Sequence, residues 1–175
     1  TEDLCTAGVP SNPGVASGTA CTQNGGVACN GLGDCVSAPV ITLVTPADGT
    51  LDASADTTIA ITFDQAMDGA TLTTQTVAGA CTGAIQVSLD DFATCIALDA
   101  AVAALSAGDT VATVTPAPGL LVNEGYKVRV TTSALNAAGL ALGATQTQPN
   151  GFLTESPDLC AGSVVISQVY GGAGS

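Results

Sequence analysis

Residues 57–63 read TTIAITF, a run of β-branched and aromatic side chains in alternation. Successive side chains of a strand point to opposite faces, so Ile59, Ile61 and Phe63 share one face and the residues between them share the other. One apolar face and one more polar face are typical of a strand in an antiparallel sheet. The stretch therefore predicts a half-buried strand of an all-β protein.

Short runs of the same kind lie on both sides of this strand. VITLVTPADG at residues 40–49 predicts a strand that enters a turn over residues 46–49, and TVATVTP at 110–116 predicts another strand. GFLTE at 151–155 is typical of a closing strand. Turn residues separate these runs at spacings that favour a β-sandwich.

Two further runs carry the same period of two. AIQVSL at residues 84–89 places Ile85, Val87 and Leu89 on one face. YKVRV at residues 126–130 does the same with three inward and two outward side chains. The inward residues are Tyr126, Val128 and Val130, and the outward residues are Lys127 and Arg129. Charged residues at alternating strand positions indicate the solvent face of a sheet.

The segment ALDAAVAAL at residues 97–105 is rich in alanine and is the one candidate helix. Alanine has the highest helix propensity, although an isolated helix this short is marginal in water. We expect a short helix at this point of the chain.

The charge of the chain excludes several classes of function. Fifteen carboxylates stand against one lysine and one arginine, with no histidine and a net charge of -13. Binding nucleic acid or an anionic membrane surface requires clustered cations, so we expect neither partner. No apolar stretch approaches the ~18 residues of a membrane-spanning helix, so we expect no membrane insertion. Without histidine the common catalytic triads cannot form, and we expect no enzyme activity.

Seven cysteines in 175 residues favour an oxidising compartment, so we expect an extracellular or bacterial cell-surface protein held by disulfides. Cys81 and Cys95 flank AIQVSLDDFAT, and we predict that they form a bridge between neighbouring strands. The pairing of the remaining cysteines stays open, with fifteen ways to form two bridges and leave one free thiol. These cysteines are Cys5, Cys21, Cys29, Cys35 and Cys160.

Composition divides the chain into three parts. Residues 1–38 are rich in Gly, Ser, Asn and Pro and contain four cysteines, so we predict an irregular segment fixed by disulfides. A zinc site is the alternative there, but no C-x-x-C pair and no histidine is present. Residues 39–156 form the predicted sandwich. Residues 157–175 form a linker and a C-terminal strand.

The C-terminal run from Val164 to Tyr170 is a strong β-former followed by a glycine-rich end. An extra strand beside a complete sandwich exposes unpaired backbone groups, and such an edge tends to pair with another strand. We therefore predict an assembly strand with contact residues Val164, Val165, Ile166, Val169 and Tyr170.

Paired carboxylates are the candidates for acid–base chemistry or for calcium. Asp90 and Asp91 are adjacent, and Asp64 and Asp68 lie four residues apart. Neighbouring strand residues face opposite sides, and only five aromatic residues are available to stack on a sugar, so a glycosidase-type site is disfavoured. Calcium stays open at the loose pairs Asp52/Asp56 and Asp64/Asp68, although no D-x-D-x-D-G loop occurs. We expect no cofactor and no metal site.

Residues 38–155 resemble the bacterial Ig-like domain of S-layer and other surface proteins. The matching stretches include VTPADG at 44–49, ITFDQAMD at 61–68, ACTGAIQVSLDDFATC at 80–95 and TPAPGLLVNEGYKVRVTT at 115–132. The resemblance implies an antiparallel sandwich of about seven strands that serves as a spacer, adhesive or assembly module. It implies no catalytic residues, and it does not extend to the cysteine-rich N-terminal segment.

The C-terminal SVVISQVYGGAGS at residues 163–175 resembles the first strand of a lamin-tail domain. In secreted bacterial proteins such domains are often joined to nucleases or other surface modules. This resemblance leaves a second interpretation open, in which the chain is a non-catalytic spacer or a glycan- or protein-binding module of a larger secreted enzyme.

Together these features predict a structural module of a secreted bacterial cell-surface protein. We expect it to be a building block of an extracellular fibre or adhesive surface assembly, joined by strand addition and disulfides. The expected partners are copies of itself or neighbouring surface modules.

Overall fold

A computed structural model of the chain describes residues 4–6, 9–11, 16, 18–22, 26–31 and 34–156. The N-terminal part contains two short antiparallel pairs, β1 (Leu4–Thr6) with β2 (Val9–Ser11) and β3 (Ala28–Cys29) with β4 (Cys35–Val36). The remainder is a two-sheet sandwich. No helix in the described residues is long and apolar enough to span a bilayer.

The first sheet contains four antiparallel strands, namely β5 (Ile41–Thr45), β6 (Ile59–Phe63), β8 (Ala104–Ser106) and β9 (Val111–Val114). Their spatial order is β5-β6-β9-β8, so β5 and β8 are the edges. The alternation predicted for β6 is confirmed, since Ile59, Ile61 and Phe63 are buried and the two residues between them are only partly buried.

The second sheet is built around β10 (Gly125–Val130). β7 (Ile85–Ser88) pairs with one side of β10. β11 (Gln146–Thr147) and β12 (Phe152–Leu153) follow one another along the other side. Because these two short strands share one edge, the sandwich has seven strand positions, and the predicted all-β, Ig-like sandwich is confirmed.

The core lies between the two sheets. It joins Ile61 and Val114 of the first sheet to Val87, Val128 and Val130 of the second in one cluster of buried apolar side chains. Burial of this hydrocarbon is the main favourable term for folding. The side chains of Lys127 and Arg129 point away from the core, as the alternation predicts.

The chain crosses from the first sheet to the second directly after β5. Residues 49–55 then run parallel to residues 151–155 on the outer side of β12. Ala53 donates its N–H to the Leu153 carbonyl at 3.1 Å and accepts from the Glu155 N–H at 2.8 Å. The segment that follows the first strand is therefore bonded to the last segment of the sandwich.

The chain enters the sandwich at one end and leaves it at the opposite end. At the Phe63 end of β6, the Ser37 carbonyl accepts from the side chain of Asn136 at 3.3 Å. At the Ile59 end, Glu155 accepts from the N–H of Ala55 at 3.2 Å. The two connections are therefore separated by the length of the strands.

The predicted helix over residues 97–105 is wrong. Backbone donors in this segment bond to other parts of the chain: Leu98 to the Gln75 carbonyl, Asp99 to Thr115 and Ala103 to Leu72. Part of the segment belongs to β8 instead. Long-range pairing has overridden the local preference of alanine. The one helical element in the described residues is a 3₁₀ turn over Gly69–Thr71.

The predicted inward position of Leu89 is also wrong, because β7 ends at Ser88 and Leu89 is 43% exposed. All four residues of β7 are buried, including the polar side chain of Gln86. A sheet covered on both faces does not show a clean polar alternation.

Candidate functional site

Two disulfides are present in the described residues. Cys81 is joined to Cys95 with an S–S distance of 2.04 Å, and Cys21 is joined to Cys35 at 2.06 Å. Cys29 lies opposite Cys35 in the β3–β4 pair, is buried, and has no disulfide partner in the described part of the chain. The first bridge holds the sandwich, and the second holds the N-terminal segment.

Several residues of the predicted sites lie outside the set whose side chains the structure describes. Cys5 lies in β1, whose side chains are outside the described set, and Cys160 is outside the described residues. The predicted assembly strand and the lamin-tail-like end also lie there, with Val164, Val165, Ile166, Val169 and Tyr170. Their roles and the proposed domain boundaries stay predictions.

The two cations of the protein hold a single loop. Lys127 Nζ lies 2.9 Å from Asp91 Oδ1, and the Arg129 guanidinium carbon lies 4.0 Å from the ring centre of Phe92. Arg129 also donates from Nε to Gln86 at 2.8 Å. Exposed pairs of this kind contribute less than about 1 kcal/mol each. Both cations therefore help to hold this loop against β10.

Asp90, in the same loop, is held by hydrogen bonds. Its carboxylate accepts from the Thr94 hydroxyl at 2.6 Å, the Thr94 N–H at 2.9 Å and the Ser88 hydroxyl at 2.7 Å. These bonds, above all that from the Thr94 side chain, lower the pKa of Asp90 to about 2. A proton donor needs a raised pKa, so this environment is unsuited to general acid chemistry.

The other predicted carboxylate pair also has structural partners. Asp64 accepts from the N–H of Val40 at 2.8 Å, and Asp68 caps the 3₁₀ turn by accepting from the N–H of Ala70 at 3.0 Å. Within the described residues, no group of three or more acidic, cysteine or histidine side chains converges to hold a metal ion.

An apolar groove opens between the edges of the two sheets. Residues 41–44 of the β5 edge form one wall, residues 146–149 form the other, and Val128 and Val130 are part of its lining. Its volume is about 300 Å³. A second cavity of about 310 Å³ adjoins it and extends the groove along residues 38–41. Val128 and Val130 themselves are only 2% and 1% exposed, so the accessible surface of the groove belongs mainly to its two walls.

The opposite side of the sandwich is closed by the chain itself. Along the edge of β7 that faces away from β10, the Thr73 carbonyl accepts from the Ile85 N–H at 2.9 Å, and the Val87 carbonyl accepts from the Ile96 N–H at 2.9 Å. Leu72 accepts from the Ala103 N–H at 3.0 Å. The segments around residues 72–75 and 95–103 therefore cover this side, whereas β5 has no strand beyond it in the described residues.

Sequence reasoning missed the groove. Its lining comes from residues about 100 positions apart, such as Val44 and Gln148. The alternation of β5 indicates a strand but not whether its outer edge is paired. The available sequence signal was that VITLV at residues 40–44 places apolar side chains on both faces of the strand, and the structure leaves Val40 and Leu43 56% and 54% exposed.

Solved structures of bacterial surface-layer proteins are among those similar to this chain. The N-terminal part of the bacterial S-layer protein SbsC is 21% identical, with 69% of this chain and 24% of that chain covered and a TM-score of 0.47. Domains 1–6 of surface layer protein SbsC are 21% identical, with 69% and 14% covered and a TM-score of 0.47. This chain therefore spans a quarter or less of their length. A search of curated proteins gave no significant match.

The sequence itself matches a known domain family. The match runs over residues 36–154, which is more than half of the chain and includes every strand of the sandwich. The resemblance noted in the sequence is thereby confirmed for this region. The chain belongs to the family of bacterial Ig-like domains.

Proposed function

We propose that the chain is a non-catalytic structural module of a secreted bacterial cell-surface protein. In this role it acts outside the cell as a building block of a fibre or surface assembly. Its family and its disulfides support this role, and both cations of the protein are engaged, with Asp90 and Asp91, in holding one loop.

The observation that carries the proposal is the position of the two chain connections. The sandwich is joined to the N-terminal segment near Ser37 and to the C-terminal segment at Glu155, at opposite ends of its strands. Modules connected in this way extend in a line, and each adds its own length. A repeated head-to-tail contact of this kind does not close and generates filaments.

Strand addition supplies the contact between copies in this proposal. The segment from Val164 to Tyr170 pairs with a sheet edge of the next copy, where main-chain hydrogen bonds give affinity and alternate side chains give register. An odd cysteine, such as Cys5 or Cys160, then joins neighbouring copies covalently.

Electron microscopy of the purified full chain tests the proposal. We expect fibres with a regular repeat, and Ile166→Pro should abolish them because proline removes a backbone donor from the strand. Gly172→Pro changes the same tail outside the predicted strand and should leave the fibres intact.

Three outcomes contradict the proposal or one of its parts. Monodisperse monomers at all concentrations would favour a spacer or binding module of a larger secreted protein. Fibres that persist in Ile166→Pro would rule out the C-terminal strand as the contact. Non-reducing electrophoresis that shows only monomer would rule out the disulfide link.

A further inference from the structure

The groove between β5 and β11 has the properties of a site for an added strand. Both walls are edges of antiparallel sheets, and the outer edge of β5 has no strand partner among the described residues. Val128 and Val130, which belong to the core cluster, contribute to its lining. An occupant must supply backbone donors and acceptors together with apolar side chains, which is what an extended β-strand offers.

The length of the groove matches a short strand. The two adjoining cavities share Ile41 and Gln146 and together follow residues 38–44. Seven extended residues span about 23 Å. The predicted strand from Val164 to Tyr170 also contains seven residues.

Charge restricts what can enter the groove. Asp48 is the one charged residue that lines either cavity, and its carboxylate already accepts from Asn150 and Gly151 at 2.9 and 2.7 Å. Two molecules of net charge -13 repel each other, so copies must meet through uncharged surface. Residues 159–175 contain no charged side chain, and Val164, Val165 and Ile166 are apolar.

The position of the groove favours a second copy over the chain's own tail. The crossing over residues 46–49 follows Thr45, which pairs with Ala60, and so lies at the end of β5 that is nearer to Glu155, where the chain leaves the sandwich. The other end of the groove lies near residues 38–41 and 142–144, close to where the chain joins the sandwich. When two copies lie end to end, the C-terminal segment of one copy therefore reaches this end of the groove of the next copy.

We infer that the groove between β5 and β11 is the acceptor site for residues 164–170 of a second copy of this chain. The inference rests on the proposed function, because it names the surface through which the copies assemble. The added strand packs against the groove floor at Val128 and Val130, covers the exposed side chain of Leu43 and pairs with the edge of β5, which completes the open side of the sandwich.

A charge placed in the groove tests the site in the full chain. Leu43 lines the groove and is 54% exposed, so Leu43→Lys is compatible with folding while it introduces an unpaired ammonium beside apolar surface. Val77→Lys adds the same charge at a residue that is 78% exposed and lies outside the groove lining. Thermal unfolding of both variants checks that the sandwich is intact.

Sedimentation velocity then measures the assembled fraction. We expect wild type and Val77→Lys to assemble alike, and Leu43→Lys to assemble at least tenfold less. Hydrogen exchange on wild-type fibres should show slowed exchange in residues 41–44 and in residues 164–170 together, relative to dissociated protein.

Each alternative gives a different result. Fibres that form equally well in Leu43→Lys, or an equal loss in Val77→Lys, would overturn the groove as acceptor while strand-mediated assembly stands. Slowed exchange in residues 41–44 alone would indicate pairing of two β5 edges. Slowed exchange of the tail in monomers would indicate that a chain fills its own groove. Wild type that never assembles would overturn the proposed function as well.

Discussion

The hydroxyl of Tyr126 accepts a hydrogen bond from the backbone N–H of Leu121, five residues earlier in the chain, at 2.8 Å. Its ring packs on Phe152 with the ring centres 5.9 Å apart, and the side chain is almost fully buried. Burial is the main factor that raises the pKa of this phenol. The arrangement fixes the loop before β10 to the core, like the tyrosine corner of Ig-type sandwiches.

Removal of this hydroxyl should destabilise the sandwich. We expect Tyr126→Phe to lower the free energy of unfolding by about 1 kcal/mol, because the Leu121 N–H loses its acceptor. Leu121→Ala keeps that N–H and changes a side chain that is 62% exposed, so it should cost less than about 0.5 kcal/mol. Urea denaturation measures both. Equal midpoints for Tyr126→Phe and wild type would contradict this role.

The two disulfides should differ in their effect although both join cysteines 14 positions apart. Loss of the sandwich bridge in Cys81→Ala/Cys95→Ala should lower its unfolding free energy by about 3 kcal/mol. Cys21→Ala/Cys35→Ala should leave the main transition unchanged, because that bridge lies outside the sandwich. Calorimetry of the two double variants is the measurement, and equal shifts would contradict the separation of the two parts.

Substitutions at two glycines should distinguish the cost of backbone strain from the cost of steric crowding. Gly108 and Gly151 have φ values of +68° and +74°, but an added methyl group meets open space at Gly108 and the Tyr126 carbonyl oxygen at Gly151. Gly108→Ala should cost about 1 kcal/mol. Gly151→Ala should cost at least about 3 kcal/mol or prevent folding, since backbone strain and a backbone clash add. Similar melting temperatures for the two variants would contradict this account.

The stability of the sandwich should depend on Asp90 at low pH. Because the folded pKa is lowered to about 2 from an ordinary value of 3.8, the stabilisation is complete above pH ~4 and is lost as the pH falls toward 2. In urea denaturation at about pH 2 to 5, Asp90→Asn should make the unfolding free energy depend less on pH than it does in wild type. Asp52→Asn removes the same charge at an exposed residue outside this loop and should keep the wild-type slope. Parallel slopes for wild type and Asp90→Asn would contradict the prediction.

Calcium should not stabilise the chain. Asp64 and Asp68 each hold a backbone N–H, and no third ligand side chain joins them in the described residues, so they lack the ligand number that calcium requires. We expect the melting temperature of chelator-treated protein to stay unchanged when millimolar calcium is added. A saturable rise with calcium, absent with magnesium, would reveal a site.

The sequence was sufficient to predict the strands whose side chains alternate between the core and a less buried face. β6 and β10 fall in this class, since Ile61 and Val128 face the core while Thr62 and Lys127 do not. The pattern failed where both faces are covered, as at Gln86, and where distant partners take the backbone donors, as at Leu98. Local propensity contains no information about such partners.

The candidate site was less predictable than the fold. The cysteines and the C-terminal strand are visible as residue types, but the groove depends on which sheet edges stay unpaired. That property arises only when Val44 and Gln148 are brought together by the packing of the two sheets.

The parallel pairing of residues 49–55 with 151–155 determines how the sandwich responds to tension. A pull on its two chain connections acts in opposite directions along these neighbouring segments, and the load falls in shear on bonds such as those of Ala53 with Leu153 and Glu155. Bonds loaded in shear must break together, whereas bonds at the end of a hairpin open one after another. The module is therefore built to resist extension along the same axis on which a fibre or stalk would be stretched.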